Sequence, residues 1–561
     1  MQQKISGARF MAETLEAFGV THVFFVPTIL TGMLVEIEKR TKIKRVLTHG
    51  EKSAAYMADG YARATGRPGI CLSQAIGASN LAAGLRDAWL AKSPVIAFSG
   101  SAKNGLRNKN VYQQVEDNDQ YNCVTKWSTR IDVIEELPYV LQQAFHISTS
   151  GSPGPVHIEL AGHFGECIEN AQFTPPISYN KKVYIIPPFR PNGEDGAAIS
   201  ALNLIKLAKK PILIAGGGAK NSNAGKELLL LCEYLQIPIA TSLNAKDIIP
   251  TSHPLNVGVP GLYSRKTANI AISEADLIFY VGSSTGSQVT FNWQIPKLNS
   301  KIIQLDINPI EFGRHYLDTF ALLGDAKKIL QDLIKISKKN KYPKREKWIN
   351  RINKIRSDWL TETKKYRYAN TIPIRPERIF TEINCSLPAN TCVTVDTGHS
   401  GMWAATYLEL NGINQKFIRA AGSLGWGLPG SIGATLARPN APALLFIGDG
   451  GFWYHLSELE TAIRWKVKLV IIINNNQSLN QEKDIYKEAY GGKLEGDHGH
   501  LWYFEDVDFV SLAKSMGAHA LRVDDPFKIK ESIIEGFKCR GPCVIDIRTS
   551  RDVMAPTAYT K

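Results

Sequence analysis

Short apolar runs alternate with helical stretches along the chain, and this alternation restricts the fold more than any other feature of the sequence. In the first third, the apolar runs include residues 69–72, 94–98 and 155–160. Strands that are separated by helices are usually joined as parallel crossovers, with helices covering both faces of the sheet. The pattern therefore predicts an α/β fold built on parallel sheets.

Two polar stretches divide this pattern into three blocks. Residues 174–192 are rich in Pro, Tyr and Asn, and residues 335–365 are rich in Lys and Arg. A chain of 561 residues exceeds the size of one ordinary core. We therefore predict three doubly wound parallel-sheet domains, which cover residues 1–173, 193–335 and 370–561.

The net charge of +14 arises in large part from residues 335–365. This segment is either a solvated linker with a charged helix face or a surface for anions or nucleic acid. It has none of the glycine–aromatic interleaving of an RNA-binding segment, so we predict no nucleic-acid partner. Anionic substrates remain compatible with the charge.

The remaining composition indicates a globular protein of a reducing compartment. Residues 1–20 have the pattern of an amphipathic helix without the features of a signal peptide, and no apolar run is long enough to span a bilayer. The eight cysteines do not form the paired short spacings of a zinc site or of a disulfide scaffold. We predict a cytoplasmic protein without a membrane partner.

The strongest chemical signal lies in the third block. An apolar run at 443–447 leads into Gly448, Asp449, Gly450 and Gly451, and a second run at 469–473 ends in three asparagines, residues 474–476. Parallel strands joined by a helix bring their carboxyl ends to one rim of the sheet. There, Asp449 and one asparagine can share Mg²⁺, while the glycines allow backbone amides to approach a diphosphate.

This segment resembles the thiamine diphosphate motif, Gly-Asp-Gly followed by Asn-Asn, of the enzymes that use this cofactor. The resemblance implies that Mg²⁺ binds the aspartate, the second asparagine and a backbone carbonyl two residues later. The triple asparagine leaves Asn475 and Asn476 as alternatives. Asn476 lies 27 residues after Asp449, the spacing expected in the acetolactate synthase branch, and this choice places the carbonyl on Ser478.

Three further segments resemble cofactor-binding parts of the same family. Residues 47–63 resemble the segment with the catalytic glutamate, here Glu51, whose carboxyl group activates the aminopyrimidine ring of the cofactor. His49 is either an acid/base group or an ordinary histidine at a strand end. Two further sets of cofactor-binding residues are predicted, Gly422, Ser423 and Leu424 in the glycine-rich turn at 421–430, and Gly398, His399 and Ser400 in the loop at 396–400.

The resemblance extends over nearly the whole chain and is greatest to acetolactate synthase. By this match Tyr112 and Gln113 face the substrate, and Gln113 can donate a hydrogen bond to a developing oxyanion. Residues 26–30 depart from the branch pattern Pro-Gly-Gly-Ala, and Thr28, Ile29 and Leu30 would fill space beside the reacting carbon of the cofactor.

Two more segments depart from that branch. Residues 75–77, Ala-Ile-Gly, replace its Gly-Pro-Gly, and residues 282–288 lack the Arg-Phe-Asp-Asp-Arg segment associated with FAD. The second departure argues against a bound flavin. The glycines at 216–218 are still compatible with a nucleotide, but they lack the full spaced fingerprint, and a tight strand-to-helix turn explains them better.

The resemblance implies a Mg²⁺- and thiamine-diphosphate-dependent carboligase. It would act on a 2-oxo acid such as pyruvate, release CO₂ and form a new C–C bond with a carbonyl acceptor. The alternative is a 2-oxo acid decarboxylase or an acyloin or benzaldehyde-type lyase. A flavin-dependent oxidase and a nucleic-acid-binding protein are more distant hypotheses. The family also implies a homodimer or homotetramer with its active site between the first domain of one subunit and the third domain of another.

Overall fold

The computed structural model describes residues 4–114, 118–175 and 184–556. Over these residues three parallel sheets of six strands each succeed one another along the chain, with helices on both faces. The predicted fold class of three doubly wound α/β domains is thereby confirmed. None of the described helices combines the length and the apolar character needed to cross a membrane.

The first sheet is formed by residues 22–160 and has the strand order β3-β2-β4-β5-β7-β6, and the short strands β1 and β8 pair beside it as an antiparallel ribbon. The strands of this part are β1 (Ile5–Ser6), β2 (His22–Phe25), β3 (Lys44–Leu47), β4 (Gly69–Ser73), β5 (Val95–Gly100), β6 (Trp127–Ile131), β7 (Val156–Leu160) and β8 (Gln172–Phe173). Its helices are α1 (Gly7–Ala17), α2 (Thr31–Arg40), α3 (Glu51–Thr65), α4 (Ala78–Ala91), α5 (Asn118–Asn122), α6 (Leu137–Thr149) and α7 (Glu166–Glu169).

The central sheet has the order β11-β10-β9-β12-β13-β14, so the direction of winding reverses between β9 and β12. Its strands are β9 (Pro211–Ala215), β10 (Ile239–Thr241), β11 (Asn256–Gly258), β12 (Leu277–Val281), β13 (Lys301–Asp306) and β14 (Thr319–Leu323). Its helices are α8 (Ala197–Leu207), α9 (Gly217–Asn221), α10 (Gly225–Leu235), α11 (Lys266–Glu274) and α12 (Ala326–Ser337). Such a reversal opens a crevice beyond the carboxyl ends of the two strands.

The third sheet has the order β16-β15-β17-β18-β20-β19, which repeats the topology of the first sheet. Its strands are β15 (Cys392–Val395), β16 (Lys416–Arg419), β17 (Ala443–Gly448), β18 (Leu469–Asn475), β19 (His519–Val523) and β20 (Cys543–Arg548). The helices of this part are α13 (Glu346–Arg367), α14 (Pro376–Ser386), α15 (His399–Tyr407), α16 (Gly427–Leu436), α17 (Asp449–Trp453), α18 (Glu458–Arg464), α19 (Lys483–Ala489), α20 (Phe509–Met516) and α21 (Ile529–Lys538).

The basic segment is mostly helix and not an extended linker. Trp348, Ile352, Ile355 and Trp359 recur at helical spacing along α13 and are buried against the central and third domains. Its charged residues occupy the other face, where Arg351 forms an ion pair with a glutamate of α11. Of the predicted solvated linker with a charged helix face, the structure therefore shows mainly the helix face.

The first and third domains pack closely within one chain through α3 and α16. A β-carbon on Gly60 would lie 1.9 Å from the carbonyl oxygen of Gly430, and one on Gly433 would lie 1.9 Å from that of Met57. Only glycine permits backbones to approach this closely. The two domains consequently share one continuous hydrophobic core.

Candidate active site

A polar cleft opens at the carboxyl ends of β15, β17 and β18. The loops that follow these three neighbouring strands meet there, as expected for parallel strands joined by helices. The residues that line the cleft are Asp396, Thr397, Gly398, His399, Ser400, Leu424, Gly448, Asp449, Gly450, Gly451, Asn474, Asn476, Ser478, Leu479, Asn480, Gln481 and Glu482. The cleft thus collects the Gly-Asp-Gly segment, the asparagine run and the 396–400 loop.

Asp449 is the buried acid of this cleft. It begins α17 directly after β17, and its Oδ2 accepts a hydrogen bond from the backbone N–H of Ser478 at 3.1 Å. Burial raises the pKa of Asp449 to about 7, because the surroundings disfavour its charge. A cation bound beside this carboxylate would remove that penalty.

The three asparagines of residues 474–476 point to two different sides of the sheet. Side chains alternate along a strand, so Asn474 and Asn476 share one face and Asn475 points to the other. The Asn475 amide donates to Asp546 Oδ1 at 2.9 Å, and its oxygen accepts from the backbone of Gln477 at 3.3 Å, away from the cleft. Asn476 lines the cleft, where its Oδ1 accepts from the Ser478 hydroxyl at 3.0 Å. This geometry favours Asn476 over Asn475 as the ligand.

The backbone carbonyl of Ser478 is the third predicted ligand of Mg²⁺. It forms an isolated antiparallel bridge with Tyr503. The bridge is closed by the neighbouring residues, since Leu479 N–H donates to Trp502 at 2.8 Å and Phe504 N–H donates to Gln477 at 2.9 Å. The bridge therefore does not use the carbonyl of Ser478. Oxygen donors from Asp449, Asn476 and this carbonyl are the ligand types that suit Mg²⁺.

Asn474 is a cleft residue that the sequence analysis did not assign. It is buried, and its Oδ1 has no hydrogen-bond partner among the described residues. A buried acceptor without a donor costs free energy, and a bound ligand would supply one. The alternation of side chains along β18 was the sequence signal that places Asn474 beside Asn476.

Asp396 holds the glycine-rich turn against the cleft, a role that sequence reasoning missed. Its Oδ2 accepts from the N–H groups of Gly425 at 3.0 Å and Gly427 at 3.3 Å. Gly425 has φ +78°, a conformation that favours glycine. Leu424, just before this turn, is thereby fixed as an apolar wall of the cleft, as its predicted role requires.

The loop at 396–400 contributes the start of α15. Gly398 has φ +65° and precedes the first helical residue, His399, and all of Gly398, His399 and Ser400 line the cleft. Backbone N–H groups at a helix N-terminus attract anions such as phosphate. Burial lowers the pKa of His399 to about 4, so its imidazole is neutral near pH 7.

Gly422 and Ser423 do not line the cleft but lie where the first domain packs against this turn. Asp87 of α4 accepts hydrogen bonds from the N–H groups of Ala421 at 2.8 Å and Ser423 at 3.0 Å. Arg63 of α3 pairs with the same carboxylate at 2.8 Å. These contacts indicate a role for Ser423 in joining the domains.

Glu51 and His49 also lie outside the cleft of their own chain. Glu51 begins α3, and its Oε2 accepts from Asn80 at 3.2 Å. A β-carbon on Gly77 would lie 2.4 Å from Glu51 Oε1, so a side chain at this position would displace the carboxylate. The Ala-Ile-Gly segment at 75–77 therefore keeps the last glycine of the Gly-Pro-Gly pattern, although it lacks the first. His49 contacts Glu460 of α18, with 2.8 Å between Nε2 and Oε2.

The predicted substrate-binding residues fall into two groups. Thr28 and Tyr112 are exposed, and Gln113 next to Tyr112 is partly exposed with φ +63°. Ile29 and Leu30 are fully buried in the core of the first domain, so their positions do not favour the predicted substrate contact. Residues 115–117, which follow shortly after Gln113, lie outside the described residues.

A second cavity, of about 350 Å³, lies at the reversal point of the central sheet. Its walls include Gly217, Gly218, Gly282 and Arg419. A β-carbon on Gly216 would lie 2.3 Å from the carbonyl oxygen of Gly282, so the 216–218 glycines permit tight loop packing. The volume is also within the range of small-molecule sites. The prediction that no flavin is bound stays a prediction.

Comparison with known proteins finds three family models that match successive parts of the chain. The family models for the thiamine pyrophosphate enzyme N-terminal, central and C-terminal domains match residues 5–122, 199–333 and 396–547. A probable acetolactate synthase large subunit of Methanocaldococcus jannaschii is 32% identical over 557 residues, which cover 97% of this chain and 92% of that protein.

Two other relatives match over a similar length. A probable acetolactate synthase large subunit of Methanococcus aeolicus is 31% identical, and the match covers 97% of this chain and 92% of that protein. A putative thiamine pyrophosphate-containing protein of Bacillus subtilis is 28% identical, with coverage of 100% and 94%.

Proposed function

Because the chain belongs to the family of thiamine pyrophosphate enzymes, we propose that it is a Mg²⁺-dependent carboligase of the acetolactate synthase type. Its donor would be a 2-oxo acid such as pyruvate, and its acceptor a second carbonyl compound. The observation that carries this proposal is the cleft in which Asp449, Asn476 and Ser478 converge. Relatives named acetolactate synthase that match nearly the whole chain support the choice of reaction.

The cleft residues would hold the cofactor, thiamine pyrophosphate (thiamine diphosphate), through its diphosphate group and Mg²⁺. Asp449, Asn476 and the Ser478 carbonyl would bind the metal, and the N–H groups at the start of α15 would face the phosphates. Leu424 would support the organic part of the cofactor as an apolar wall. When bound, the cofactor supplies a nucleophilic carbon that adds to the donor carbonyl, so that CO₂ can leave.

A second copy of the chain would complete the site. Among the described residues, those that line the cleft all belong to the third domain, whereas Glu51, Thr28 and Gln113 lie in the first domain. We propose a homodimer, or a homotetramer of two such dimers, in which the first domain of one subunit covers the cleft of the other. Glu51 would then bind the aminopyrimidine ring, and Gln113 would donate to the oxyanion of the reacting carbonyl.

His49 fits a joining role better than acid/base catalysis. Its ring contacts Glu460, and its backbone N–H donates to Glu458 Oε1 at 2.9 Å. Both glutamates belong to α18 of the same chain. The two contacts tie the strand end before α3 to the third domain, which favours the strand-end interpretation.

The alternative is a 2-oxo acid decarboxylase or an acyloin-type lyase on the same scaffold. The exposed Thr28, in the segment that departs from the acetolactate synthase pattern, favours it, because a larger side chain leaves less room for an acceptor. A decarboxylase would protonate the decarboxylated donor and release it as an aldehyde, instead of joining it to a second carbonyl compound.

Product analysis distinguishes these reactions. The purified protein would be incubated with thiamine diphosphate, Mg²⁺ and pyruvate, with and without 2-oxobutyrate or an aldehyde, and the products identified by NMR. Acetolactate or a mixed acyloin supports the carboligase, whereas free acetaldehyde alone supports the decarboxylase. If neither donor loss nor any of these products appears across a series of 2-oxo acids, the proposed function is wrong.

A matched pair of variants tests the catalytic acid. Glu51→Gln keeps the shape and hydrogen bonding of the side chain but removes the titrating carboxyl group, so turnover should fall at least roughly a hundredfold while cofactor binding remains. Glu346 also begins a helix, α13, far from the cleft, and Glu346→Gln should have no effect. Wild-type turnover in Glu51→Gln would exclude Glu51 from the mechanism.

We further propose a cytoplasmic location. All eight cysteines are free thiols, as a reducing compartment favours. Non-reducing mass measurement of protein from the native host would reveal any disulfide and so contradict this assignment.

A further inference from the structure

Two thiols and an imidazole converge at the edge of the third sheet, remote from the cleft. His519 is the first residue of the edge strand β19 and pairs in register with Cys543, the first residue of β20. Residues paired in register on parallel strands project to the same face of the sheet. The topology therefore places an imidazole beside a thiol although the two residues are distant in the sequence.

Helix α21 brings a second thiol and a carboxylate to the same point. Cys539 ends the helix one turn after Glu535, whose Oε1 lies 2.9 Å from His519 Nε2. Gly536, between them in the helix, lies close to the sheet, since a β-carbon there would be 3.1 Å from Cγ2 of Val470 and 3.4 Å from Cys543 Sγ. The ligand atoms of His519, Cys539 and Cys543 all lie within 4.8 Å of one another.

We propose that His519, Cys539 and Cys543, with Glu535 as the fourth ligand, form a structural binding site for a Zn²⁺-type divalent cation. Two thiolates with one imidazole and one carboxylate are a donor set for tetrahedral Zn²⁺. At metal–ligand distances of about 2.0–2.3 Å, two ligands of one ion lie roughly 3.3–3.8 Å apart. Movements of about 1–1.5 Å would therefore close the ligand atoms of His519, Cys539 and Cys543 around an ion, and Glu535 would join them through its contact with His519.

The burial of the four groups suits a site of this kind. Cys543 is fully buried and forms its floor, while the side chains of His519 and Glu535 are 42% and 49% exposed. An ion can therefore enter from solvent without opening the core. The cysteine spacings alone predict no zinc site. The proposed site revises that prediction, because His519 of β19 and Glu535 of α21 supply two ligands that are not cysteines.

Cobalt substitution tests the proposal on the assembled enzyme. The protein would be reduced, saturated with thiamine diphosphate and excess Mg²⁺, and titrated with Co²⁺. We expect one equivalent per chain to produce a thiolate-to-cobalt charge-transfer band with the strong visible bands of tetrahedral Co²⁺, both abolished by Zn²⁺. Co²⁺ at the cofactor site would have oxygen ligands and no thiolate band, so the signal separates the two sites.

Surface variants assign the ligands. Cys539→Ser and His519→Ala should each abolish the thiolate band or weaken Co²⁺ binding at least roughly tenfold, while the far-UV spectrum remains unchanged. Cys385→Ser removes an exposed thiol from α14 and should behave like the wild type. An absent band in the reduced wild type or an unchanged band in Cys539→Ser would each overturn the metal site. A mass two hydrogens lower in the protein as isolated, from a Cys539–Cys543 disulfide, would do so as well.

Discussion

The alternation of side chains at the end of β18 makes a prediction that separates two neighbouring asparagines. Asn476→Ala should weaken Mg²⁺-dependent binding of thiamine diphosphate, whereas Asn475→Ala should leave binding intact and lower stability. The reason is that Asn476 lines the cleft, while the Asn475 amide is committed to Asp546 on the other face. Each variant is thus the matched control of the other.

The magnitudes follow from the contacts that each truncation removes. Asn476→Ala removes one oxygen donor to a cation, a charge-assisted contact worth about 1.5–3 kcal/mol. That free energy corresponds to roughly ten- to hundredfold weaker cofactor binding. Asn475→Ala leaves the buried Oδ1 of Asp546 without its 2.9 Å donor and should lower the free energy of unfolding by about 1–3 kcal/mol.

Two measurements on the same preparations provide the test. Quenching of tryptophan fluorescence by thiamine diphosphate at fixed Mg²⁺ reports the cofactor affinity, and thermal unfolding without cofactor reports the stability. A cofactor-binding loss in Asn475→Ala together with normal binding in Asn476→Ala would reverse the assignment. Equal losses in both variants would show that the register does not separate their roles.

Three other perturbations have definite expected outcomes. Asp87→Ala removes the carboxylate that joins Arg63 to the 421–423 turn. Arg63 keeps its ion pair with Asp59, but the N–H groups of Ala421 and Ser423 lose their acceptor, so stability should fall by about 1–3 kcal/mol in urea unfolding. An unchanged free energy of unfolding would contradict the inferred joint. His157 is fully buried, and burial lowers its pKa from 6.5 to about 3. The contribution of the neutral imidazole to stability is therefore complete above pH 6.5. As the pH falls from 6.5 towards 3, only the unfolded chain takes up a proton, and stability should decrease by up to about 1.4 kcal/mol per pH unit. His157→Gln should flatten that dependence, and an unchanged slope would refute the assignment. Thr28→Gly should increase use of 2-oxobutyrate relative to pyruvate as acceptor, and an unchanged product ratio in competition would remove Thr28 from the acceptor site.

Much of the fold could be predicted from the sequence because its signals are local. Apolar runs of strand length, separated by helical patterns, specify parallel crossovers wherever they occur, and all three sheets follow this rule. The cleft was predictable for a related reason. Gly448 to Gly451 and the asparagine run directly follow strands, and the ends of neighbouring parallel strands share one rim.

Other features depend on which strands become neighbours and on which helices cover them. Asp396 and Gly425 are 29 residues apart in the sequence, and Asp87 and Ala421 are 334 residues apart. No local sequence pattern therefore predicts either contact. His519 and Cys543 are brought together by the pairing of β19 with β20. Local sequence determined the elements and the chemistry at their ends, whereas the tertiary structure decided these long-range contacts, because strand order and helix packing minimise the free energy of the whole chain.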